Sequence, residues 1–276
     1  MLSYVEPSQL TGFEERREKA LENFLDMNGQ TGEEKEYFLN MNTKVDTPLQ
    51  YRWTKGWTFV TADFVSQCGV VLGIFLTIGI APMFCGEWHD RTKALIATTK
   101  NGWKKIAGVK VMAAVLFTLE LYGIITVSSV FLQIVFLGTE GWDMPIQCIK
   151  ILAAAPWNVL QAEIYEYIYL LLAALGYTDI VLLCSALTKS NYISLLISLA
   201  IIFVPMAVSQ FLPLWGQRLL DLIPFVGSST DIFRTNTYPL FGLRIWSPYL
   251  LITAPISLGL ISLPFAVYLW SKRARI

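Results

Sequence analysis

Two long apolar runs with a basic stretch between them set what this chain can fold into. Phe64 to Cys85 carries no charged residue, and Ile106 to Leu137 carries only Lys110 and Glu120. A helix crosses a hydrocarbon core with about 20 apolar residues, so each run is long enough. The stretch between them, Gly86 to Lys105, holds Arg91, Lys93, Lys100, Lys104 and Lys105. Short loops rich in Arg and Lys stay on the cytoplasmic side, so this loop orients the segments around it. Composition agrees: 54% of residues are hydrophobic, 15% are charged and the mean hydropathy is +0.51, whereas about a quarter of a soluble domain is charged.

The pattern predicts an all-α polytopic membrane protein with five transmembrane helices, at about 64–85, 110–137, 164–187, 192–212 and 248–270. Residues 106–109 extend the second helix on the cytoplasmic side. Thr188-Lys189-Ser190-Asn191 joins the third and fourth as a tight turn. Lys189 and the terminal Lys272, Arg273 and Arg275 mark further inside segments. Five crossings with the C-terminus inside leave residues 1–63 outside, and that segment is the more acidic. The outside loop 138–163 holds only Lys150, and the outside loop 213–247 holds Arg218, Arg234 and Arg244. The nine tryptophans fall at or near span ends, where an interfacial belt is expected. The domains are therefore an extracellular segment over 1–63 and a transmembrane domain over 64–276.

In the outside segment, Phe13, Ala20, Leu21, Phe24 and Leu25 fall on one face of a helix, and Glu33 to Leu39 predicts a second short one. Between them Asn28-Gly29-Gln30-Thr31-Gly32 reads as a turn. Ile146 to Ala155 is apolar but too short to span, which predicts an interfacial helix. Leu214 to Pro224 is an amphipathic run that lies on the membrane surface, re-enters beside protein or forms an ordinary loop.

Several chemistries are excluded. There is no P-loop, no His-Glu-x-x-His and no Gly-x-Ser-x-Gly, so no enzyme, no ATPase and no cofactor is expected in this chain. A single histidine, His89, rules out a histidine-rich metal site. Nucleic-acid binding would need a basic face, and none is present outside short loops. Cys68, Cys85, Cys148 and Cys184 form no Cys-x-x-Cys pair and read as free thiols. Two acidic residues stand inside the spans. Glu120, in the second, and Asp179, beside Tyr177 and Thr178 in the third, either line a translocation path or sit neutral and hydrogen-bonded between helices. Glu163 and Glu166, near the outer end of the third span, read as facing water.

The stretch from Tyr51 to Lys110 resembles the permease subunits of ABC-2 type transporters, with the closest likeness to those of Gram-positive bacteria. The resemblance rests on the aromatic entry Tyr51-Arg52-Trp53-Thr54-Lys55-Gly56-Trp57 and on a span ending Phe84-Cys85-Gly86-Glu87. It continues through Arg91-Thr92-Lys93-Ala94-Leu95-Ile96-Ala97-Thr98-Thr99, Gly102, Lys104-Lys105 and Lys110. Leu222-Ile223-Pro224 before the last span is similar too. The resemblance implies a type V exporter-like fold, a homodimer or heterodimer of permease subunits and a partner cytoplasmic ATPase. It also implies a coupling helix in the loop, with Glu87, Arg91, Lys93, Leu95, Ile96 and Lys104 as its residues. The plain alternative is a basic loop that touches nothing. Members of that family begin with a further membrane helix, which this chain lacks, so a fragment, a split gene product or a mis-called start is expected. On this reading the chain sits in a bacterial plasma membrane among lipid and moves a peptide, lipid or drug-like substrate outward. An ion-coupled secondary transporter or channel using Glu120 and Asp179, and a membrane-anchored sensor whose outer segment binds a ligand, are the other classes.

Overall fold

The computed structural model describes residues 12–30, 32–47, 49, 55–59, 65–89, 102–227, 233, 235–240 and 243–274. It is mostly helical and contains five helices long and apolar enough to cross a membrane: Ser66–Glu87, Lys105–Leu137, Val159–Leu187, Asn191–Phe211 and Ser247–Lys272. The chain is thus a polytopic membrane protein by helix length and composition. It is not purely α-helical, because β1 (Thr237–Leu240) and β2 (Leu243–Trp246) pair antiparallel, with Thr237 opposite Trp246 and Leu240 opposite Leu243. The fold divides into two compact units.

The first unit gathers residues 1–62, 132–165 and 233–247. The first two overlap 1–63 and 138–163, read as outside from charge, whereas residues 213–232 of the third expected outside segment fall in the second unit. Its helices are α1 (Phe13–Met27), α2 (Glu33–Asn42) and the short α3 (Lys55–Phe59). α1 buries Arg17, Leu21 and Leu25 at a spacing of four, one stripe of a 3.6-residue helix. Ala20, expected on that face, is exposed, and Arg17 takes its place. The Arg17 guanidinium donates to Asn42 Oδ1 and to the Ile151 carbonyl. Burial pulls its pKa below the ordinary arginine value, against the raising pull of Glu18 and Glu14. Glu34 ties α2 to β1, accepting from the Thr237 amide at 3.0 Å and its hydroxyl at 2.8 Å. Lys35 bridges back to α1, 2.7 Å from Asp26 and 3.2 Å from Glu22.

Two expectations for this unit fail. Ile146 to Ala155 is not an interfacial helix: only Ile146–Cys148 makes a turn of 3-10 helix. Pro145 and Pro156 bracket the segment. The Gln147 amide folds it back by donating to the carbonyls of Ala153 and Ala155 at 3.1 and 2.6 Å. Tryptophan also serves as core as much as belt. Trp57 is 5% exposed and packs with Met144 and Val159, and its ring nitrogen donates to the Glu140 carbonyl at 2.8 Å. Trp157, Tyr165, Phe233 and Trp246 form one aromatic cluster, with ring centroids 5.4 to 5.8 Å apart in the contacting pairs.

The second unit holds residues 63–131, 166–232 and 248–276. α4 (Val65–Ile80) and α5 (Pro82–His89) form the first span, and α6 (Gly102–Leu132) runs on through a π turn, Gln133–Leu137. α7 (Val159–Leu187), α8 (Asn191–Val208), the short α9 (Leu214–Leu220) and α10 (Ser247–Ala274) complete it. α7 starts five residues before the expected Ile164. Asn158 and Gln161 cap it reciprocally, Asn158 Oδ1 accepting from the Gln161 amide at 2.7 Å and Gln161 Oε1 from the Asn158 amide at 3.1 Å, a capping-box arrangement.

α7 is the central helix. Of its most apolar window 61% is buried, against 11% for the span of α6. Small residues set the crossings, as membrane packing favours. A Cβ on Gly176 would stand 2.6 Å from the Pro255 carbonyl of α10, and one on Gly73 would stand 2.6 Å from Ile202 of α8. Hydroxyls fasten the same helices. Tyr177 lies 2.6 Å from the Thr77 hydroxyl and donates to the Ser198 carbonyl at 2.9 Å, joining α4, α7 and α8. Thr118 of α6 meets Thr178 at 2.6 Å.

Candidate functional site at the end of the helix bundle

The break at Ala81 positions the end of the first span. Pro82 opens α5, as a residue lacking an amide hydrogen suits a first helical position. The Ser185 hydroxyl of α7 enters the break. It donates to the Ala81 carbonyl at 2.6 Å and accepts from the amides of Phe84 and Cys85 at 2.9 and 3.1 Å. Donors orphaned at a helix start are thereby satisfied from a neighbouring helix. The Cys85 thiol lies 3.0 Å from Asn191 Oδ1 at the start of α8.

One turn on, Glu87 meets Lys110 of α6 at 2.6 Å, with side chains 14% and 20% exposed. Lys110 also donates to the Met83 carbonyl. Its ammonium lies 5.7 Å from the Phe84 ring centroid and 5.5 Å from that of Trp270 on α10. Those two rings stand 5.2 Å apart. A cation over two ring faces with a carboxylate beside it is a desolvated, well-partnered charge. Three elements of the second unit, α5, α6 and α10, therefore meet at Lys110. The other Glu87 oxygen, Oε2, is buried without a hydrogen-bond partner among the described residues.

This cluster lies at the root of the basic loop. The structure places Glu87 in an internal clamp. Arg91, Lys93, Leu95 and Ile96 lie outside the described residues, as does the side chain of Lys104. Three basic segments emerge at this same end of the unit. They are the loop after Glu87, the Lys189 turn between Ser185 and Asn191, and the chain beyond Trp270.

The two intramembrane acids are set apart by their surroundings. Asp179 is half-buried against α10, where a Cβ on Gly259 would stand 2.6 Å from its Oδ2. Glu120 is exposed, on the side of α6 opposite Thr118. The reading of Glu120 as hydrogen-bonded between helices of this chain fails among the described residues, because it has no such partner there. A charged side chain at that depth costs on the order of 3 kcal/mol. Glu163 and Glu166, expected to face water, are 5% and 2% exposed, and Glu163 accepts from the Gln133 amide at 3.2 Å.

Two features escaped the sequence. Phe225, after Leu222-Ile223-Pro224, is fully buried with φ at 68°. Its ring packs edge-on against Tyr177 at 5.4 Å, so this element plugs the second unit. The first unit carries a polar cleft of about 230 Å³ lined by residues that include Lys44, Asp46, Asp143, Gln147, Trp157 and Gln161. Among the described residues no group of three or more His, Cys, Asp or Glu side chains is placed to hold a metal.

No protein-family model, curated protein or solved structure matches this chain.

Proposed function

We propose that the chain is the membrane-embedded permease subunit of an ATP-driven exporter, with the loop 86–105 docking on a separate cytoplasmic ATPase. The resemblance of Tyr51 to Lys110 to ABC-2 permeases motivates it. One observation carries it further. The loop springs from a rigid root, since the Glu87–Lys110 pair and the Phe84 and Trp270 rings lock α5, α6 and α10 together. A push on such a loop moves several helices as one body, which a basic loop serving only orientation does not require. Convergence of the basic loop, the Lys189 turn and the basic C-terminus at one end supports a cytoplasmic placement of that end. The cargo is a peptide, lipid or drug-like molecule, and the membrane a bacterial plasma membrane.

The test is purification of the chain from its own membranes after mild crosslinking. A P-loop ATPase co-purifies with the parent chain. Leu95→Asp with Ile96→Asp abolishes that association and leaves membrane insertion intact. Absence of any such ATPase, or equal capture by the variant, overturns the reading.

A second reading draws on the polar cleft of the first unit: a sensor whose outer segment binds a small ligand.

A further inference from the structure

The polar cleft of the first unit, about 230 Å³ in volume, takes its wall from three segments, 44–46, 143–147 and 156–161. Drug-sized pockets begin at roughly 300 Å³, so this one suits a molecule the size of an amino acid. The wall is held before any ligand arrives. The Ile146 amide donates to the Trp157 carbonyl at 2.9 Å, and the Val159 amide to the Met144 carbonyl at 2.8 Å. Buried Val45 anchors the remaining segment. A preformed wall lowers the ordering cost of binding.

One oxygen in this wall calls for a donor. Gln147 is 1% exposed, and its amide nitrogen donates to the carbonyls of Ala153 and Ala155. Carbonyls only accept, so these contacts fix which end of the amide is nitrogen. Neither alanine belongs to the cleft wall, so the oxygen is the end of the amide that the cleft can use. That oxygen, Oε1, is buried without a hydrogen-bond partner among the described residues, and a buried acceptor left unpaired is costly. The carboxylates of Asp46 and Asp143 stand in the same wall. Three acceptors of this kind fit an ammonium group. Donors are present as well. Lys44 lines the cleft. Asn158 and Gln161, also in the wall, use their side-chain oxygens in the helix cap, which leaves their amide nitrogens to donate. Those donors fit a carboxylate.

We infer that the cleft binds a small zwitterion, a free α-amino acid. Its ammonium sits among Asp46, Asp143 and the Gln147 oxygen, and its carboxylate takes Lys44 and the amides of Asn158 and Gln161. The partly exposed Trp157 ring offers apolar surface to the ligand side chain. A plain dianion would meet two carboxylates against one ammonium, and a plain amine would leave the donors unmatched. The inference rests on the second reading above, an outer segment that binds a small ligand, and names the ligand class. It does not depend on an ATPase.

The experiment places the whole chain in lipid nanodiscs and records thermal unfolding with each standard L-α-amino acid in turn at about 5 mM, then titrates any that stabilise by calorimetry. At least one is expected to bind with a Kd of about 1 mM or tighter. Its N-acetyl and methyl ester derivatives, each lacking one charge, are expected to bind at least about tenfold more weakly. Asp46→Asn and Lys44→Gln are each expected to weaken binding by at least about tenfold. Both residues are exposed, and an unchanged Tm without ligand verifies that the variants fold. Equal binding of the two derivatives, or undiminished binding by both variants, overturns the inference. Saturable binding of inorganic phosphate or methylamine, with no amino acid bound, overturns the zwitterion and leaves the small-ligand reading standing. No response to any of these probes overturns both.

Discussion

The ammonium of Lys110 lies 2.6 Å from a carboxylate oxygen of Glu87, which joins the end of α5 to α6 across the basic loop. This pair closes the loop at its base. The two sides are unequal in what they have besides each other. Lys110 keeps a carbonyl and two ring faces. Glu87 has one oxygen on Lys110 and one with no partner among the described residues.

That asymmetry predicts an order of damage. Lys110→Met leaves the Glu87 carboxylate largely desolvated and unpaired, whereas Glu87→Gln leaves Lys110 its carbonyl and rings. Breaking one side of a fully buried pair costs about 3–5 kcal/mol, and partial exposure here lowers that figure. Lys110→Met is therefore expected to destabilise by about 2 kcal/mol and Glu87→Gln by about 1 kcal/mol. The double variant should recover part of the loss, giving a coupling of about 1 kcal/mol. Thermal unfolding in detergent, followed by near-ultraviolet dichroism of the aromatic side chains, measures all three. Equal losses from the two single variants, with no coupling, would show that the contact holds nothing.

The hydroxyl of Tyr177 carries a second prediction. It bridges Thr77 of α4 and the Ser198 carbonyl of α8 from within a fully buried ring. Tyr177→Phe keeps the ring against Phe225 and removes only the oxygen. The expected loss is about 1 kcal/mol, in line with hydrogen bonds between membrane helices. Thr77→Val should cost less, because the Tyr177 proton still reaches Ser198. Chemical or thermal denaturation of the two variants in one detergent decides the order.

The spans were legible because the bilayer imposes one long, local rule. Apolar length alone found all five. The site was only half legible. Glu87 was marked by its place at the span end, but its partner Lys110 lies 23 positions on, and no local pattern couples them. The Asn158–Gln161 cap was written in the sequence, yet the apolar window beginning at Ile164 masked it. β1 was hidden by Pro239, which lacks an amide hydrogen and reads against a strand. It is tolerated in a ribbon of only two strands. Phe225 adopts a backbone angle that aromatic residues rarely take, and its ring is buried against Tyr177. Glu163 read as wet because its helix was expected to start at Ile164 rather than at Val159, and Glu166 because it stands within the first turn of that expected start.

Cys148 allows a pH test in the first unit. Burial raises its thiol pKa above the ordinary value, since desolvation disfavours the thiolate. The thiolate is the reactive form, so maleimide labelling of Cys148 is expected to be slow at neutral pH. Its rate should rise with pH through a midpoint above that of the same site in unfolded protein. By linkage, the raised value means folding favours the protonated thiol. That contribution is fully present below the unfolded thiol pKa and is lost as pH rises through the folded one. Labelling followed by mass spectrometry gives the profile directly, and a midpoint at or below the unfolded one would contradict the burial described.

The crossing of α7 and α10 gives the sharpest contrast. A Cβ at Gly176 would stand 2.6 Å from the Pro255 carbonyl oxygen and 2.9 Å from its carbon, both backbone atoms. A Cβ at Gly259 would stand equally close, at 2.6 Å, to Asp179 Oδ2, but that atom ends a side chain that can rotate away. The helices must separate in the first case and need not in the second. Gly176→Ala is expected to destabilise by about 2–3 kcal/mol as overpacking that no rotamer relieves. Gly259→Ala should cost under about 1 kcal/mol, offset in part by alanine's better helix propensity. Pro255 sharpens the difference, because the proline at that turn already limits how α10 can bend. Unfolding of both variants in the same detergent should place Gly176→Ala clearly lower. The reverse order would mean that the two helices do not cross at Gly176.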